Sequence, residues 1–301
     1  MGTPISFEVG VFLHQDGSVR AVLLLFHHPN RCCEASFGYD GREVSLKMPI
    51  RQKTLFEIDG LCVRLSHYGA NESMPAHGHE YHQVSWLLAG EIAECISRCD
   101  REVLQPARGV KPAGCMHANV YGQQGSLILS ANLDCDAVRQ FLPGNTLDWG
   151  WGESEDGNAN VHALMNVIAT GGELARDAVA DLLASSGRIS HTGHREVPAW
   201  LTRVREQLRD DEFAPDLESL AAGAGVHRVH LSRSFVRHFG VPPSVYRARS
   251  RAAQGLSRLV NGEEPALAAL DAGFADQSHF SRWVKKMTGL PPKRLQRLMA
   301  A

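Results

Sequence analysis

The sequence predicts an α+β chain of two domains: an N-terminal β-barrel with helices after it, then an all-α domain of two helix-turn-helix units. Three observations lead there. Residues 48–135 carry short apolar runs punctuated by glycine, residues 197–301 read as helix throughout, and that helical third contains an internal repeat. At 301 residues the chain is long enough for two domains of ordinary size. With 44% hydrophobic and 21% charged residues it has the composition of a soluble globular protein.

Residues 1–47 show no clear period and read as an extension, with Met48 a candidate start of the regular pattern. The run Val19–Phe26, which includes Arg20, is too short to span a bilayer. No signal peptide is recognisable, so a cytoplasmic location without membrane attachment is expected. The 7 cysteines are scattered and odd in number, which suits reduced thiols. Cys95 and Cys99 form a cluster, but no second pair stands at zinc-site spacing beside them.

Within 48–135, apolar runs at Leu61–Leu65, Val84–Leu88 and Leu127–Leu129 alternate with turn glycines, the pattern of a barrel. Residues 136–196 turn helical. Val161, Leu164, Met165 and Ile168 share one stripe, continued by Leu174, Val179, Leu182 and Leu183. Leu164, Ile168, Leu182 and Leu183 are candidates for a homodimer contact, with packing on the barrel as the alternative. The polar stretch 185–196 reads as a linker.

The C-terminal segment 197–301 is basic. From Ala199 onward it holds 16 Lys+Arg against 10 Asp+Glu, while the rest of the chain holds 15 against 23. That asymmetry is the footprint of a nucleic-acid-binding domain. Arg233-Ser-Phe-Val-Arg-His-Phe-Gly-Val-Pro-Pro aligns with Arg282-Trp-Val-Lys-Lys-Met-Thr-Gly-Leu-Pro-Pro at an offset of 49 residues. Each copy has the parts of a helix-turn-helix, one over about 216–240 and one over about 264–289. Asp216 and Asp276 are N-caps, and Pro265 suits a first helical position. Gly223, Gly225 and Gly273 mark the turns. Leu231 with Phe235, and Phe280 with Val284, are inward pairs four residues apart. Gly240 and Gly289 close the second helices.

In such a unit the N-terminal half of the second helix enters the major groove. The candidate contacts to double-stranded DNA are Arg228, Val229, Ser232 and Arg233 in the first copy. In the second they are Gln277, Ser278, His279, Ser281 and Arg282. Arginine pairs with guanine and glutamine with adenine. Arg237, Lys285 and Lys286 lie later in their helices and suit phosphates.

These residues carry a resemblance. Leu220-Ala-Ala…Ala224-Gly225, His230-Leu-Ser-Arg-Ser-Phe235, Gly240-Val-Pro-Pro-Ser-Val-Tyr246-Arg247, Ala272-Gly-Phe-Ala-Asp-Gln-Ser-His-Phe-Ser-Arg282 and Gly289-Leu-Pro-Pro resemble the DNA-binding domain of the AraC/XylS family of bacterial regulators. The resemblance covers about 197–300. It implies two units joined by a long helix, about 244–260, whose recognition helices enter successive major-groove turns. It also implies a transcription activator that works with RNA polymerase and answers to a small-molecule effector in the N-terminal barrel. Leu295-Gln296 departs from the pattern, standing where the first copy has Tyr246-Arg247, and bears on how the last helix packs.

The barrel segment has its own pattern. His77-Gly-His79 precedes Gln83, and His117 follows in Pro112-Ala-Gly-Cys-Met-His117-Ala-Asn119. On one strand, 77, 79, 81 and 83 face one side, leaving His82 exposed. Tyr81 and Trp86 read as core or pocket wall. The two motifs resemble those of a cupin barrel, with Gln83 where a glutamate stands. His77, His79, Gln83 and His117 are therefore candidate ligands for a divalent metal. The alternative is an effector pocket with no cofactor. A metal-dependent cupin enzyme fused to a DNA-binding domain is the rival functional reading. No nucleophile–base arrangement or phosphate-binding loop supports other catalysis, so the chain is expected not to be an enzyme.

Overall fold

The structure, a computed structural model, describes residues 8–13, 19–26, 32–33, 51–96, 99–104, 107–144, 147–153, 157–185, 197–210 and 215–300. Met48 and positions 186–196 of the expected linker lie outside these residues. Strands β1 (Glu8–Leu13), β2 (Val19–Phe26) and β3 (Cys32–Cys33) form a small antiparallel sheet. The region read as an extension thus holds a hairpin, and its apolar run is a strand.

The main sheet contains β4 (Arg51–Ile58), β5 (Leu61–Tyr68), β6 (Ser73–His77), β7 (His82–Ile96), β8 (Cys99–Leu104), β9 (Ala107–Lys111), β10 (His117–Leu133) and β11 (Gly150–Glu153). Its order is β11-β9-β7-β10-β5-β4, with β6 also paired to β10 and β8 to β7. Two long strands organise it. β7 pairs with β9 through its first half and with β8 through its second. The change of partner falls at Gly90, whose φ is +83°. There the β7–β10 register shifts between Tyr121 and Ser126. A Cβ on Gly90 would lie 1.9 Å from the carbonyl oxygen of Gly125, so only glycine allows this approach.

Strand alternation gives the sheet two different faces. Leu61, Val63 and Leu65 of β5, Val84, Trp86 and Leu88 of β7, and Leu127, Leu129, Ala131 and Leu133 of β10 are buried in one apolar cluster. Arg64, Ser66 and Tyr68, Gln83 and Ser85, and Ile128, Ser130 and Asn132 line a cavity on the other face.

The helices are α1 (Cys135–Phe141), α2 (Gly157–Ala169), α3 (Ala175–Ala184), α4 (Ala199–Asp210), α5 (Leu217–Gly223), α6 (Arg228–Phe239), α7 (Pro243–Val260), α8 (Pro265–Asp271), α9 (Gln277–Thr288) and α10 (Pro292–Ala300). β11 interrupts the stretch expected to be helical. It has only four residues, two of them glycine, too few to show a period.

Two expectations about α2 and α3 are corrected. Leu164, Leu182 and Leu183 are buried inside the chain against the sheet, and Ile168 packs on the same cluster, so these side chains are not free for a dimer contact. Leu174 leaves the stripe altogether and is 63% exposed.

The apolar cluster does not stop at the sheet. It continues through α2 and α3 into Ala252, Leu256, Phe280, Val284, Leu295 and Met299. The second helix-turn-helix therefore shares a core with the sheet. The first has its own, built from Leu201, Val204, Leu208, Leu220, Leu231, Phe235 and Tyr246.

Candidate nucleic-acid interface and cavity

Local chemistry shapes the helices of the two units. Asp216 caps α5 by accepting from the Ser219 N–H at 2.7 Å, and Asp276 caps α9 by accepting from the His279 N–H at 2.8 Å. His227 Nδ1 accepts from the Val229 N–H at 3.2 Å and so caps α6. The second helix of each unit, α6 and α9, ends on a left-handed glycine, Gly240 at φ 72° and Gly289 at φ 77°. Gly225 and Gly273 carry the turns with φ of 67° and 72°, whereas Gly223, expected there too, closes α5. The inward pairs Leu231/Phe235 and Phe280/Val284 are fully buried.

The opposite faces are open. Arg228, Val229, Arg233 and Arg237 on α6 are exposed, as are Gln277, Ser278, His279, Arg282, Lys285 and Lys286 on α9. Ser232 and Ser281 stand half-buried, each next to its helix's inward stripe. Arg228 lies 3.9 Å from Glu218, an exposed pair worth little. His279 is not free: its Nε2 accepts from Trp283 Nε1 at 3.1 Å. Lys286 in turn sits 5.0 Å from the Trp283 ring centroid. Trp283, which no sequence motif singled out, thus orders the exposed face of α9.

The departure at Leu295-Gln296 is also explained. Leu295 is buried in the shared core. Gln296 Nε2 donates to the carbonyls of Leu259 and Glu263 at 3.0 and 2.8 Å, tying α10 to the end of α7.

The cavity on the sheet's polar face has a volume of about 210 Å³. His77, His79 and His117 meet there, with one ring nitrogen from each within 4.8 Å of the others. The expected single strand from 77 to 83 is broken. β6 ends at His77, and His79 reaches the cluster from the turn before β7. His82 is half-buried, not exposed, and its Nδ1 accepts from the Ala113 N–H at 3.3 Å. Tyr81 stacks on His79, and Trp86 belongs to the apolar face.

The donor set suits a divalent cation in part. Nδ1 of His77 and Nδ1 of His117 each lie within hydrogen-bond reach of a backbone carbonyl two residues back, Pro75 and Cys115. With Nδ1–H donated there, Nε2 presents its lone pair to the cluster. Burial, then the neighbouring His77 and Lys111, lowers His79 to about 4. Burial and Lys111 lower His117 as well. Both are neutral donors at pH 7. Gln83 is otherwise occupied: its Oε1 accepts from Lys111 Nζ at 3.2 Å and its Nε2 donates to Asn132 at 2.9 Å. Three imidazoles could therefore hold a metal, without the fourth ligand expected from the sequence.

Behind the cavity lies a buried ion pair that the sequence reading missed. Lys111 Nζ is 3.0 Å from Glu94 Oε1, and both side chains are almost wholly buried. Trp151 Nε1 donates to Glu94 Oε2 at 2.6 Å and Trp149 Nε1 at 3.2 Å. Burial pushes the Glu94 carboxyl up, but Lys111 and Trp151 together hold it below its ordinary value. Among the described cysteines, Cys62, Cys115 and Cys135 are free thiols.

Comparison with known proteins agrees with the helical part of this geometry. The helix-turn-helix domain family matches residues 220–298. The C-terminal segment is a helix-turn-helix domain of the AraC type. The uncharacterized HTH-type transcriptional regulator YbfI of Bacillus subtilis (strain 168) is 38% identical over 63 residues, which is 21% of this chain. The match spans 23% of that relative's length. Among solved structures, ToxT of Vibrio cholerae bound to an unsaturated fatty acid shares 13% identity at a TM-score of 0.31, covering 80% of this chain and 96% of that one. KdgF from Halomonas sp. shares 17% at a TM-score of 0.27, covering 31% and 87%. Among the described residues no helix is long and apolar enough to cross a membrane.

Proposed function

We propose that this protein is a transcription regulator that reads duplex DNA with α6 and α9 and holds a small-molecule effector in the cavity of the sheet. The observation that carries the reading is the pair of matched units, each presenting an exposed polar N-terminal half and a basic C-terminal end on its second helix. Arg233 and Arg282 suit guanine edges, and Gln277 suits adenine. Arg237, Lys285 and Lys286 suit phosphates, where charge adds affinity without sequence choice. The shared core supplies a route between the parts. The strands whose polar side chains line the cavity bury their apolar side chains against the second unit, so a change in the cavity bears on α9 through packed side chains. The AraC-type domain favours activation, with RNA polymerase as partner. The test is selection of bound duplexes from a random pool with the whole chain. Enrichment of a defined sequence supports the reading, and an unenriched pool refutes it.

The histidine cluster favours one second reading, a metal-dependent activity in the sheet domain. His77, His79 and His117 would hold the cation, which would supply a Lewis acid. Elemental analysis after dialysis, paired with a turnover assay, decides it. Stoichiometric metal with turnover supports an enzyme, and metal without turnover leaves only a structural or sensing role.

A further inference from the structure

The charge lining the cavity is one-sided. Its charged lining residues are Arg64 and Lys111, and among the described residues it has no aspartate or glutamate. Lys111 is neutralised from behind by Glu94. Arg64 is not. It is half-buried on β5, its neighbours across the sheet are Thr54 and Ser130, and among the described residues none accepts a hydrogen bond from its guanidinium or pairs with it. A guanidinium on a cavity wall without an acidic partner attracts whatever anion can reach it. Arginine in particular binds carboxylates through two parallel hydrogen bonds.

The rest of the wall sorts by polarity. Gln52, Ser66 and Asn132 offer further hydrogen-bonding groups. Tyr68 and Tyr121, stacked with centroids 3.9 Å apart, join Met74, Ile92 and Ile128 as apolar wall. A cavity of about 150 Å³ accepts benzene. The 210 Å³ here therefore suits one ring, or a short aliphatic chain, together with a charged head. An inorganic anion would leave the apolar wall uncovered, and a neutral sugar would set hydroxyls against that wall and bring no counter-charge to Arg64.

We propose that the cavity binds a small organic monocarboxylate, its head paired with Arg64 and its body against Tyr68, Tyr121, Met74, Ile92 and Ile128. The proposal rests on the cavity being the effector site and names the chemistry of the effector. Arg64 acts as counter-ion independently of any cation on the histidine cluster.

The whole chain, treated with EDTA, is titrated calorimetrically at pH 7 with benzoate and hexanoate and with their uncharged counterparts benzamide and hexanamide. At least one carboxylate is expected to bind about tenfold or more tightly than its amide, in line with a charge-assisted pair. Arg64→Gln should abolish that preference, and Arg64→Lys should keep part of it. Unchanged thermal unfolding and duplex binding of Arg64→Gln show that it folds. Four results overturn the proposal: amides binding as well as acids, the preference surviving Arg64→Gln, the preference vanishing with EDTA, or no acid binding at millimolar concentration. Retained binding of the selected duplex in any of these cases leaves the regulator standing, whereas failure of the untreated wild-type chain to select a duplex sinks the regulator itself.

Discussion

The phenol of Tyr246 donates to Glu91 Oε1 at 2.6 Å, joining α7 at the first helix-turn-helix to β7 of the sheet. Glu91 Oε2 also faces Arg209 of α4 at 3.7 Å. Burial and the Glu91 carboxylate both push the Tyr246 phenol far above its usual pKa, so it stays a donor at every physiological pH. The two units are thus attached differently, the first through this polar contact and the second through a continuous apolar core. Tyr246→Phe removes a hydrogen bond to a charged acceptor and should cost about 1.5–3 kcal/mol. Urea unfolding checks this, and an unchanged midpoint would show that the contact adds nothing.

The Lys111–Glu94 pair makes a sharper demand. Lys111→Met leaves Glu94 buried without its cation and should destabilise by about 3–5 kcal/mol. Adding Glu94→Gln removes the orphaned charge and should recover much of the loss. Equal stability of single and double variants would mean that the carboxylate finds another partner.

The bend in β7 predicts a contrast between two glycines with similar backbone. Gly90 and Gly114 have φ of +83° and +75°. A Cβ on Gly114 meets nothing within 4 Å, so Gly114→Ala bears only the backbone penalty, about 1–2 kcal/mol. Gly90→Ala adds a clash with the Gly125 carbonyl and should cost at least about 3 kcal/mol or prevent folding. Thermal unfolding of the two variants ranks them, and similar values would contradict the close approach of β7 and β10.

His67 sets a pH dependence. It is buried on β5, neither ring nitrogen has a hydrogen-bond partner, and burial, then Arg51, lowers its pKa to about 4. The unfolded chain, with His67 near 6.5, binds the proton more readily than the folded one. The contribution is therefore complete above about pH 6.5 and is lost as pH falls towards 4, at up to about 1.4 kcal/mol per unit. His67→Met should lower the slope of unfolding free energy against pH over that window by up to about 1.4 kcal/mol per unit, leaving the part set by His79 and His117. An unaltered slope would place the acid sensitivity elsewhere.

The helix-turn-helix units were legible because their signals are local. Caps at Asp216 and Asp276, glycines at Gly240 and Gly289 and pairs such as Leu231/Phe235 act within one or two turns of chain. Convergence of His77, His79 and His117 was also readable from spacing, although His79 arrives by a turn and not along a strand. What escaped depends on long-range register. Gln83 meets Lys111, and Asn119 meets Glu94, only once β7 has paired with β9 and β10. Arg64 stands at the inward parity of a strand, the signal that could have found it. The stripe on α2 and α3 was read correctly as apolar, but a stripe does not say which surface covers it.

On the DNA-reading face, Arg282→Ala should relax preference at one base and cost about 1–3 kcal/mol of specific binding. Arg237→Ala should weaken binding to all sequences alike and lower the salt slope by about one. Gel-shift titrations over a salt series separate the two. Interchanged behaviour would mean that base readers and phosphate contacts are assigned the wrong way round.

Selection of duplexes from a random pool by the whole chain tests the central claim most directly. Two helix-turn-helix units on one chain predict two short enriched motifs centred about one helical turn apart, roughly 10 base pairs. Arg233→Ala should degrade one motif and Arg282→Ala the other. An unenriched pool, or the same two motifs recovered unchanged with both variants, would contradict the account.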